Sequence, residues 1–119
     1  MSKQQLLTVF DNSSQTKQLI ERLSIPKSET KISNLVGSSF SFVISSLFKS
    51  TENPLLVVLE DKEEAAFYLN DLELFFNDKD VLFYPGSYRR PYQLEETDNA
   101  NVLMRSEVLN RINSRKKPA

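Results

Sequence analysis

The stretch SNLVGSSFSFVISSLFKSTENPLLVVLEDKEEAAFYLNDLELFF, from Ser33 to Phe76, decides how the fold is read. A short mixed run over 31–36 ends at Gly37, a lone glycine among serines. Residues 39–49 then set Phe40, Val43, Ile44, Leu47 and Phe48 at helical spacing, giving a strong apolar face. Pro54 opens the unbroken apolar run Leu55, Leu56, Val57, Val58 and Leu59. Asp61, with Glu64 three residues on, supplies the capping-box spacing for another helix, whose Ala65, Leu69, Leu72 and Phe76 share one side. The order is strand, turn, helix, strand, helix. Two strands joined by a helix predict a right-handed crossover and a parallel pair covered on both faces.

Working outward, residues 3–10 and 15–24 carry short helical patterns, with Leu6, Leu7 and Phe10 in the first and Leu19, Ile20 and Leu23 in the second. Asn12, Ser13 and Ser14 between them are cap and turn formers, and Pro26 ends the second helix by pushing Ile25 out of helical geometry. Toward the C-terminus, 81–84 reads as a third strand stopped by Pro85 and Gly86. An irregular polar segment follows. Thr97 or Asp98 then caps a last helix with Met104, Val108, Leu109 and Ile112 on one face. The predicted fold is α/β: a P-loop-like three-layer unit, with a short parallel sheet flanked by helices. The expected organisation is a helical segment over 1–30 and a partial domain over 31–119. A parallel sheet that stops on a helix, before basic residues 115–117, reads as part of a longer chain.

Composition narrows the chemistry. The 119 residues contain no cysteine and no histidine, which excludes thiol nucleophiles, structural zinc sites of the usual ligands and histidine acid–base catalysis. Net charge is −1, but four of the fifteen basic residues, Arg111, Arg115, Lys116 and Lys117, fall in the last nine positions. Residues 1–110 therefore hold 11 bases against 16 acids, a net of −5, and a body of that sign is a poor polyanion binder. The basic end itself reads as a solvated helix C-terminus favoured by the dipole. The N-terminal MSKQQLLTVFDNSS has no apolar stretch of signal-peptide length, and no window approaches a membrane span, so the expectation is a cytoplasmic protein with no membrane partner.

The turn after the first predicted strand is where a nucleotide-binding fold carries its phosphate loop. Such a loop needs glycines for close backbone approach, a lysine for the β- and γ-phosphates and a hydroxyl for magnesium. Here the eight positions are Gly37, Ser38, Ser39, Phe40, Ser41, Phe42, Val43 and Ile44. Val43 stands where lysine is required and Ile44 where the hydroxyl is required, so the loop is degenerate. No nucleotide, no metal and no catalytic residue are expected in this chain. The helix N-terminus retains only weak anion affinity. Asp61, Glu63 and Glu64 read as cap and dipole partners rather than catalytic carboxylates.

Three blocks, residues 35–48, 54–76 and 81–112 (the last reading VLFYPGSYRRPYQLEETDNANVLMRSEVLNRI), cover 69 of the 119 residues. In order and spacing they resemble the N-terminal UvrB-like region of the bacterial transcription-repair coupling factor family (Mfd). They resemble the first part of the excision-repair protein UvrB more distantly. UvrB keeps an intact Walker A loop and inserts a long hairpin after the third strand. This chain lacks the first, and the ten or so residues between Gly86 and Thr97 are too few for the second.

The resemblance implies a non-catalytic module supporting UvrA recruitment and autoinhibition. The parent would be an ATP-dependent DNA translocase that displaces stalled RNA polymerase, with ATP, magnesium, polymerase and double-stranded DNA belonging to later domains. The alternatives are a nucleotide-binding helicase-like domain of UvrB type, or a DNA-contacting module. Tyr88, Arg89, Arg90 and Tyr92 would carry the DNA contact, since arginines interleaved with aromatics stack on bases and pair phosphates. The same four residues suit a contact with a neighbouring domain.

Overall fold

Helix formation is specified locally along the chain, and the ends of the elements show how. The computed structural model describes residues 2–51, 53–76, 80–86, 99–114 and 118–119. They contain five helices: α1 (Lys3–Asp11), α2 (Ser14–Leu23), α3 (Ser39–Ser50), α4 (Lys62–Phe75) and α5 (Asn99–Ser114). α1 opens with a reciprocal cap. Ser2 Oγ accepts from the Gln5 N–H at 3.2 Å, and Gln5 Oε1 accepts from the Ser2 N–H at 2.8 Å. At α4 the Asp61 carboxylate accepts from the Glu64 N–H at 2.7 Å, and Glu64 Oε2 accepts from the Glu60 N–H at 3.2 Å. These bonds satisfy amides that the first helical turn leaves without partners. Replacing Asp61 with alanine is expected to cost about 1 kcal/mol of stability, read as a shifted denaturation midpoint by circular dichroism; an unshifted midpoint would show the cap to be idle.

The chain divides into two units, residues 1–55 and 56–119. In the first, α3 packs on α1 and α2. Leu19, Val43 and Leu47 form the buried cluster, with Phe10, Ile20 and Leu55 packed against it. Phe10 and Phe42 stack with ring centroids 5.0 Å apart and planes 15° from parallel. α3 is enclosed over most of its circumference, because Ser41, Ser45 and Ser46 are buried along with Val43, Ile44 and Leu47. In the second unit α4 has no fully buried residue. Its covered side carries Ala65, Leu69, Leu72 and Phe76, while Phe67 and Leu74 are exposed.

The parallel sheet and its crossover are absent: the described residues contain no strand, so the three-layer α/β reading is corrected to an all-helical one. The reason lies in how each apolar run is placed. Residues 31–36 are exposed throughout. In 55–59 exposure alternates, with Leu56 at 87% and Val58 at 83%, whereas a central strand is covered on both faces. At 81–84 no ladder forms either. α3 buries its apolar side against α1 and α2, which are close in sequence, and does not cross over a strand pair. The last helix also differs from its reading. Met104 and Val108 are half-buried as expected, but Leu109 and Ile112 face outward.

Candidate functional site

Residues 37–44, the degenerate loop, lie at the start of α3. The Ser39 N–H donates to the Val36 carbonyl at 3.2 Å, closing a turn in which Gly37 takes φ +59°. That left-handed conformation is natural for glycine and strained for other residues. Ser38 caps the helix without a side-chain hydrogen bond, and Ser39 is its first residue. Val43 and Ile44 are each 6% exposed, with Val43 in the buried cluster beside Leu19 and Leu47. Both side chains thus belong to the packed interior. Neither reaches the turn at Gly37, where a lysine and a magnesium-binding hydroxyl would have to act.

The acidic residues at 61–64 serve the cap already described. Asp61 and Glu64 are occupied by backbone amides, and Glu63 lies with them in the first turn of α4, where negative charge meets the helix dipole favourably. Among the described residues no group of three or more acidic side chains is placed to hold a metal ion. An open hollow on α1 is lined by Gln4, Gln5, Thr8 and Val9, with no ionisable group among them. Tyr88, Arg89, Arg90 and Tyr92 lie outside the described residues, as do Thr97 and Asp98.

One polar constellation escaped the sequence reading. Ser46, 1% exposed, donates its hydroxyl proton to Asp11 Oδ1 at 2.6 Å, and Lys49 Nζ stands 3.6 Å from Asp11 Oδ2. Hydroxyl, carboxylate and ammonium in a row suggest a nucleophile with its activating groups, but the placement does not. The hydroxyl is enclosed and already committed to the carboxylate, leaving no approach for a substrate. The three residues instead tie the end of α1 to α3. A signal was present in the sequence: Asp11 ends a helix, where a negative charge opposes the macrodipole and calls for a tertiary partner.

Arg111 was read as part of a solvated basic end. It is partly buried and pairs with Asp80 at 3.3 Å, while also donating to the Pro118 carbonyl at 3.3 Å. Residues 115–117 lie outside the described ones. Among the described residues no helix is long and apolar enough to cross a membrane. No family model matches the chain, and neither a curated protein nor a solved structure matches it.

Proposed function

We propose that this chain is a non-catalytic, protein-contacting module of a transcription-repair coupling factor. It would serve UvrA recruitment and autoinhibition within a longer ATP-dependent DNA translocase that displaces stalled RNA polymerase. The reading rests on the three sequence blocks alone, since the parallel sheet expected with them is absent from the described residues. The observation that carries its non-catalytic part is the burial of Val43 and Ile44. With those two side chains committed to the core, residues 37–44 offer no lysine and no metal-directed hydroxyl to a triphosphate. A contact role is further supported by Phe67 and Leu74, both exposed and seven residues apart on one side of α4.

Calorimetric titration tests it. The expected result is no heat with Mg-ATP and measurable binding with purified UvrA. Micromolar ATP binding would overturn the non-catalytic reading and revive the nucleotide-binding alternative. Absence of UvrA binding would remove recruitment from these residues.

A further inference from the structure

We propose that the exposed side of α4 binds a basic amphipathic helix of another protein. The inference names the chemistry of the partner for the α4 contact described above, and it holds without the coupling-factor identity.

The first observation is the shape of the face. Glu63, Phe67, Asn70 and Leu74 follow one another at spacings of four, three and four and are all exposed, so they form one row along α4. The covered side, with Ala65, Leu69, Leu72 and Phe76, lies opposite. Phe67 and Leu74 stand two turns, about 10 Å, apart on the outside. That is the interval at which a second helix with a heptad pattern presents its apolar side chains.

The second is the charge around the row. α4 carries the acids Glu63, Glu64, Asp71 and Glu73 against one base, Lys62. Glu64 serves the cap, while Asp71 and Glu73 border the row on its two sides. Among the described residues the carboxylates of Glu63 and Glu73 have neither a hydrogen bond nor an ion pair.

The third is the position of Glu73. It falls in the last turn of α4, which holds no base, and there its charge opposes the helix macrodipole. At the end of α1 the same conflict is met within the chain, because Asp11 has Ser46 and Lys49. At the end of α4 no described residue meets it. Lys62 is about three turns away, and Lys79 lies outside the described residues. A cation brought by a partner relieves the conflict.

These charges select the occupant. A second copy would set one acidic row on another in either direction, and juxtaposed like charges oppose binding. Nucleic acid and anionic lipid carry the wrong sign. A helix with Lys or Arg beside its apolar stripe covers Phe67 and Leu74 and pairs with Glu63 and Glu73 at once. The net charge of −5 over residues 1–110 draws such a partner in. Two apolar anchors and exposed ion pairs bury less than the roughly 1,200 Å² of a standard interface, so the complex is a transient one.

The test is a fluorescence-anisotropy titration of the full chain into a labelled helix-forming peptide of about 20 residues. The peptide has leucine at the apolar heptad positions and lysine elsewhere, and a twin carries glutamate in place of lysine. The expected result is a dissociation constant between about 10 μM and about 1 mM for the lysine peptide and no measurable binding of the twin. Raising salt from about 50 mM to about 500 mM should weaken binding at least about threefold. Leu74→Gln and Glu73→Lys should each weaken it at least about fivefold at unchanged helicity. Glu73→Lys also removes the conflict with the macrodipole, so its denaturation midpoint should not fall. Glu21→Lys makes the same change of net charge on the exposed side of α2 and should alter binding by less than about twofold.

No binding of the lysine peptide overturns the proposal. So does equal binding of the glutamate twin, or equal weakening by Glu21→Lys and Glu73→Lys. UvrA binding without peptide binding would overturn this inference and leave the coupling-factor reading standing; peptide binding without UvrA binding does the reverse.

Discussion

Truncation of Leu47 to alanine is expected to lower the unfolding free energy by about 2–4 kcal/mol. Leu47 is a buried member of the Leu19–Val43–Leu47 cluster, and Phe10, Ile20 and Leu55 close around the same cluster. Removing its isobutyl group leaves a cavity that these neighbours fill only in part, so the lost transfer energy and the lost contacts add. Leu56→Ala is the matched control. Its side chain lies almost wholly in solvent, and the change should stay within about 0.5 kcal/mol.

Urea unfolding followed by circular dichroism measures both. The pair also separates this fold from a sheet-based one: with residues 55–59 as a central strand, Leu56→Ala would be as costly as Leu47→Ala. Near-equal losses would overturn the exposed placement of Leu56 and revive a covered strand over 55–59.

The second large effect is expected at Asp11. Asp11→Ala removes the acceptor of the Ser46 hydroxyl and strands that group in an enclosed position, at a cost of about 1–3 kcal/mol. Little of this comes from Lys49. Its pair with Asp11 is 3.6 Å long and both side chains are more than a third exposed, which leaves the Coulomb attraction screened.

Ser46→Ala should cost less than Asp11→Ala, because the remaining carboxylate can be solvated. A double-mutant cycle between positions 11 and 46 isolates the coupling. Ser45 supplies the contrasting sign. Its hydroxyl is 0% exposed and has no hydrogen-bond partner among the described residues, so Ser45→Ala should be neutral or stabilising. Equal losses at 45 and 46 would show that burial alone, and not the bond to Asp11, sets the cost.

What was legible in the sequence was whatever a segment decides by itself. The 39–49 pattern lies within α3, Asn12 and Ser13 fall between α1 and α2, and Asp61 caps α4, because caps and 3.6-residue spacing are local properties. The apolar run at 55–59 was different in kind. A strand requires a partner, and no property of five aliphatic residues says whether one is present. The buried serines of α3 were missed because hydroxyl residues are usually counted as solvent-facing. Small side chains also allow a neighbouring helix to come close.

On α5 the stripe read from Met104, Val108, Leu109 and Ile112 found the covered face only in part, because Val102 and Leu103 spread apolar residues further around the axis. At the candidate site, composition alone disqualified Val43 and Ile44 as phosphate ligands. Their commitment to the core became visible only once α1 and α2 were placed beside them. Asp11 and Ser46 are 35 positions apart, and nothing short of the fold joins them.

The arrangement of the first core has a consequence for the order of folding. Every residue named around Leu19, Val43 and Leu47 precedes position 56, and the three helices that carry them are neighbours in sequence. The contacts of this unit reach across 35 positions between Asp11 and Ser46, but the cost of loop closure grows only slowly with length, and none of them waits for residues beyond 55. During synthesis at about 5–20 residues per second, α1 to α3 can close on one another as soon as residue 55 clears the ribosome, while α5 has yet to be made.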